Sequence, residues 1–154
     1  MGLSGYQTEK NMNKLTQSTK PTKEKQIGRK WHLIDASGKI LGRLTPKIVK
    51  LVQGKHKVNY VPNMDIGDFV VVINASKVKI SGKKELSKEY TNYSGYPGGL
   101  KKINFADLLK KDSREIIKRA VSGMLAKNKF RSDRLNRVNV FPTEKHPFTD
   151  KLTE

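Results

Sequence analysis

Five apolar residues in unbroken succession, Phe69–Ile73 (FVVVI), are the feature that most limits what this chain can fold into. A strand with one buried face alternates apolar and polar side chains. A run without alternation suits a strand covered on both faces, as at the parallel centre of an α/β sheet. Basic glycine turns lie on either side of it, Gly54-Lys55-His56-Lys57 before and Ser81-Gly82-Lys83-Lys84 after. One greasy element thus joins two places where backbone and lysines can approach an anion.

The segments ahead of that run supply a first βα unit. Residues 31–36 (WHLIDA) read as a strand ended by the turn Ser37-Gly38, and Gly42 then opens a helix. Leu44, Ile48, Leu51 and Val52 fall on one face of it at 100° per residue. Arg43, Lys47 and Lys50 fall on another, within about 60° of each other on a helical wheel. One element therefore carries a packing stripe and a basic stripe. Pro46 lacks an N–H and suits only a first turn, so the regular helix is expected to begin near Arg43 or later.

Gly54 stops this helix, and Lys55, His56 and Lys57 follow. Two readings stand side by side. Cations at a helix C-terminus are favoured by the helix dipole whatever else they do. Alternatively, Gly54 lets the backbone approach a phosphate while three donors surround it, and the neighbouring basic stripes tip the balance toward RNA. Asp65 and Asp68, around the turn Asp65-Ile66-Gly67-Asp68, raise the question of a magnesium-dependent nuclease. Metal-assisted phosphate chemistry needs several converging carboxylates and a positioned base. The acids here are few and scattered, so turn capping and local ion pairing are the favoured reading.

Beyond the central run, residues 77–80 (KVKI) alternate with period two, giving a strand with its lysines on one face. A further strand is expected over residues 89–93, leading into a glycine-rich loop with Tyr96. Strand tyrosines more often pack than bind, but tyrosines among lysines and glycines can stack on unpaired bases, and Tyr96, inside the loop, is the best candidate. Residues 104–111 suit a short helix. A second helix follows, which Ser113 can cap, with Ile116, Ile117, Ala120, Val121, Met124 and Leu125 on a buried face. Residues 127–137 (KNKFRSDRLNR) combine Lys127, Lys129, Arg131, Arg134 and Arg137 with a single acid, Asp133, and read as an RNA-facing segment before a short strand over residues 138–141.

Charge ties these patches together. The chain of 154 residues carries 32 Lys plus Arg against 14 Asp plus Glu, a net charge of +18. Self-repulsion of that size calls for a polyanionic partner, most commonly nucleic acid. No apolar segment approaches the roughly 20 residues of a membrane span. There are no cysteines, hence no disulfides and no thiolate metal sites. His32, His56 and His146 show no metal-ligand spacing, and no Ser/His/Asp arrangement is visible. No Walker A loop is present, because His56 and Lys84 stand where it needs Ser or Thr. One domain over residues 31–148 is expected, with a basic, disordered arm over residues 1–30 and a short tail over residues 149–154.

Four segments in order, WHLIDASGKILGRL, GKHKVNYVPNMDIGDFVVVINASKVKISGKK, YTNYSGYPGGLKKINF and IIKRAVSGMLAKNKFRSDRLNRVNVF, resemble the universal thirteenth protein family of the large ribosomal subunit, over residues 31–148. The resemblance implies a three-layer α/β/α fold around a small, mostly parallel sheet of about four strands. It also implies a non-catalytic protein that binds and bridges large-subunit rRNA of the 23S type early in ribosome assembly. Its partners would be that rRNA and neighbouring large-subunit proteins in a cytoplasmic ribosome, with no cofactor, metal, membrane or small-molecule substrate. Lys55, His56, Lys57, Lys83, Lys84, Tyr96, Lys101, Lys102, Lys127, Lys129, Arg131 and Arg134 would be the RNA contacts it implies. Arg131 and Thr143 stand where many bacterial members have glycine, and Asn63 where a histidine is common. The same surface leaves room for an alternative, repression of a messenger RNA by the free protein. The two would compete for one RNA site.

Overall fold

The structure is a computed structural model and describes residues 22–24 and 27–152. Most of the arm expected over residues 1–30 lies outside the described residues.

The apolar run forms the central strand of a parallel sheet, as its lack of alternation requires. Strand β1 (Trp31–Asp35), helix α1 (Leu41–Gln53) and strand β2 (Phe69–Ile73) make the first crossover. The chain continues through one turn of helix, α2 (Lys84–Ser87), a hairpin of β3 (Glu89–Tyr93) and β4 (Leu100–Asn104), then α3 (Phe105–Met124), α4 (Arg131–Asn136) and β5 (Val138–Val140). The sheet order is β1-β2-β5, all parallel, while β3 and β4 pair antiparallel in a separate ribbon. The expectation of about four strands in one sheet is therefore corrected to three plus a detached pair.

Strand order also decides where the helices lie. Both crossovers step the same way across the sheet, and right-handed crossovers in one direction place their helices on one face. Leu44, Ile48 and Val52 of α1 and Ile116, Ile117 and Val121 of α3 accordingly share one core with Val70, Val72, Val138 and Val140. A three-layer arrangement would split the two long helices between faces; here they share one. Aromatics cover part of the other face, where Leu33 is 49% exposed. Trp31 stacks on Phe69 at 4.4 Å and on Phe148 at 5.0 Å, and Phe141 meets Phe148 edge-on.

Three local expectations change. Helix α1 begins at Leu41, so Pro46 sits in its second turn; the carbonyl its missing N–H would have served is that of Gly42, which is exposed to water. Residues 75–77 form a 3₁₀ turn, and the expected strand over residues 77–80 is reduced to one parallel bridge, Ile40 to Lys79. Asp112, not Ser113, caps the second half of α3. Its backbone leaves helical geometry at φ −153°, and its carboxylate accepts from the N–H of Arg114 at 3.0 Å.

Candidate nucleic-acid interface

Helix α1 ends in a tight reversal. Gly54 adopts φ 78°, and the N–H groups of Gly54 and Lys55 donate to the carbonyls of Leu51 and Lys50, the paired bonds of a Schellman end. What approaches Gly54 is this protein's own backbone: a Cβ there would lie 3.0 Å from the carbonyl carbon of Ile66. At Gly67 a Cβ would lie 1.7 Å from the Val52 oxygen. Residues 66–68 therefore press against the last turn of α1, where the Asp68 N–H reaches the Leu51 carbonyl at 3.2 Å.

Two acids organise the cations around that contact. Asp68 is fully buried. One oxygen accepts from the Lys30 N–H at 3.1 Å and pairs with the Lys57 ammonium. The other lies 2.9 Å from Nε2 of both His32 and His56. Lys57 also donates to the carbonyls of Gly28 and Ile66 at 2.7 and 2.9 Å, which uses all three ammonium donors. Asp65 is held by Arg137 on both oxygens and by Arg134 Nε at 3.2 Å, and Arg137 also reaches the Val52 carbonyl at the α1 terminus. Burial alone would raise both carboxyls. The hydrogen bonds and charge of Arg137 and Arg134 outweigh it at Asp65, and those of Lys57, His32 and the Lys30 N–H at Asp68, so both are held below the ordinary 3.8.

This revises part of the expected RNA surface. Lys57, Arg134 and Arg137 face inward, with Arg134 and Arg137 3% and 6% exposed. His56 is drawn to Asp68. Arg131 bonds back to the carbonyl and hydroxyl of Ser122 at 2.9 and 2.7 Å, tying α4 to α3. The sequence could not signal this, because the acid partners lie about 10 to 70 residues away and in different elements. The two carboxylates do not converge on one magnesium site: Asp65 pairs with Arg134 and Arg137, and Asp68 with Lys57. Ion pairing accounts for both, and neither caps a turn.

The remaining expected residues are exposed and sit on separate elements. Arg43, Lys47 and Lys50 line the outer face of α1, with Lys55 just beyond it. Lys83 and Lys84 follow the turn at Gly82, and Lys127 and Lys129 precede α4. Lys101 and Lys102 lie on β4, opposite Asn92 and Thr91. The ribbon packs on the core through Tyr90 and Ile103, while its far end is open, with Tyr93 and Tyr96 62% and 75% exposed. Gly95 and Gly98 take positive φ and shape the tip that presents Tyr96. Exposed lysines on several elements, together with an open aromatic tip on the ribbon, can neutralise phosphates and stack bases at separated points.

A family model described as Ribosomal protein L13 matches residues 29–147. The chain is 50% identical over 134 residues to the large ribosomal subunit protein uL13 of a Nitratiruptor species, covering 87% of this chain and 96% of that protein. It is 49% identical over 124 residues to the large ribosomal subunit protein uL13 of Clostridioides difficile, covering 80% and 87%. The namesake from Syntrophotalea carbinolica is 45% identical over 130 residues, covering 84% and 92%.

Proposed function

Because this chain belongs to the ribosomal protein L13 family, it is a structural protein of the large ribosomal subunit and not an enzyme, and we propose that it binds large-subunit rRNA and bridges separate segments of it early in assembly. The observation that carries the reading is the distribution of exposed cations: they are spread over α1, the turn at Gly82, the β3-β4 ribbon and residues 127–129. A single duplex contact would need one basic stripe. Cations on several elements suit several RNA segments, joined through one rigid body.

In this reading Arg43, Lys47, Lys50, Lys55, Lys83, Lys84, Lys101, Lys102, Lys127 and Lys129 neutralise phosphates, and Tyr96 stacks on an unpaired base. Neighbouring ribosomal proteins complete its surroundings, in the ribosome of the cytoplasm. Residues 31–148 act as one unit and residues 1–30 as a basic extension. Sedimentation of native extract in moderate salt tests the assignment: the protein is expected with the large subunits and their precursors. Recovery only in the ribosome-free fraction would refute it.

A further inference from the structure

His32 and His56 stand 24 residues apart in sequence, yet their Nε2 atoms meet at one oxygen of Asp68, each at 2.9 Å. We propose that His32, His56 and Asp68 form a binding site for a single zinc ion, with water in the fourth position.

The donor set is two imidazole nitrogens and one carboxylate oxygen, three protein ligands of the kind zinc takes when one position stays open. The ligand atoms all lie within 4.8 Å of one another. At zinc–ligand distances of about 2.0–2.1 Å, the edges of a tetrahedral site are about 3.3 Å. Each histidine would thus withdraw from the carboxylate by less than half an ångström, starting from nitrogens that lie within 4.8 Å of each other. Side-chain rotation supplies that much.

Three features of the surroundings favour the site. One carboxylate needs one counter-charge, and Lys57 supplies it from the other oxygen, so the imidazoles are surplus to the ion pair. Lys57 and the Lys30 N–H together pin that oxygen, the outer-shell support that orients a ligating carboxylate. The histidine side chains are 30% and 27% exposed, so both imidazoles are open to solvent, whereas Asp68 is fully enclosed. The ammonium of Lys57 opposes a dication, so the affinity will fall below that of a four-ligand structural site.

The test uses the full-length, RNA-free chain after treatment with a chelator. Titration with Co²⁺ is expected to give a tetrahedral visible absorption that saturates at one ion per chain and is abolished by Zn²⁺. On the unmodified protein, Zn²⁺ is expected to shift the imidazole NMR signals of His32 and His56 and leave those of His146. H32F and H56Q should each weaken zinc at least about tenfold, with circular dichroism reporting their fold. Should a variant fail to fold, the unmodified protein's NMR titration decides alone. Absence of saturable binding, shifts confined to His146, or a folded double variant that binds zinc as tightly would overturn the proposal.

Discussion

Asp65 and Arg137, 72 residues apart, meet through two parallel hydrogen bonds, Nη1 to Oδ2 at 2.6 Å and Nη2 to Oδ1 at 2.7 Å. The pair closes the loop after α1 onto the residue that leads into β5. A bidentate arginine fork fixes both distance and orientation, so the loop is anchored to the sheet before any RNA is present. Some of the positive charge in this chain is scaffold, and the rest is surface.

Removing Asp65 should therefore cost far more than an ordinary surface change. Asp65→Ala leaves Arg134 and Arg137 buried and unpaired, and loss of one partner of a buried ion pair costs about 3–5 kcal/mol. Urea denaturation should show that loss. A drop below about 1 kcal/mol, the range of surface pairs, would mean that the arginines find other partners.

Gly67 is constrained by proximity alone. A Cβ there would lie 1.7 Å from the Val52 oxygen and 2.6 Å from its carbon, both backbone atoms that move only with α1. Gly67→Ala should destabilise by about 3 kcal/mol or more. Gly42, with nothing within 4 Å of its Cβ position, is the control, and Gly42→Ala should be neutral or slightly stabilising by urea midpoint.

Acid should unfold the protein through its two organising carboxylates. Both Asp65 and Asp68 titrate lower in the folded state than the ordinary 3.8. A depressed folded value means stability that is fully present above the unfolded value and lost as pH falls through the folded one. The urea midpoint should hold from pH 7 to about 5, then fall steeply below about 4. Asp65→Asn should flatten part of that fall. An unchanged midpoint at pH 3 would show that the ion pairs add nothing to folding.

Lys101, Lys102 and Tyr96 should separate charge from stacking. Replacing both lysines by alanine should leave the urea midpoint in place, since both are exposed and, among the described residues, only Lys102 has a surface ion-pair partner, Glu89 at 3.3 Å. On rRNA the same change should reduce the salt slope by about 1.8, or about 0.9 per phosphate contact. Tyr96→Ala should instead cost about 1–3 kcal/mol of affinity with the slope unchanged. Filter binding across a salt series distinguishes the two.

Much of the frame was legible because burial writes periodicity. The run at Phe69–Ile73, the stripe on α1 and the face of α3 from Ile116 to Val121 each follow from which residues avoid water. Strand β4 was not legible. Lys101 and Lys102 are adjacent, and Ile103 alone of this strand packs against the core, so no alternation was imposed. The strand expected at residues 77–80 kept its alternation of exposure, with Val78 buried between Lys77 and Lys79, but found only one bridging partner. At the candidate interface, cations were visible while their partners were not. Nothing local distinguishes Arg134, whose charge is spent on Asp65, from Lys129, which is exposed.

The central claim is that exposed cations on this rigid body neutralise rRNA phosphates, whereas Lys57, Arg134 and Arg137 hold the body together. The most direct measurement is the affinity for large-subunit rRNA as a function of salt, for the unmodified chain and for a variant with Arg43, Lys47 and Lys50 replaced by alanine. Log affinity is expected to fall linearly and steeply with log salt, and the triple variant to lower that slope by about 2.7 at unchanged fold. An affinity indifferent to salt, or a slope untouched by the three substitutions, would contradict it.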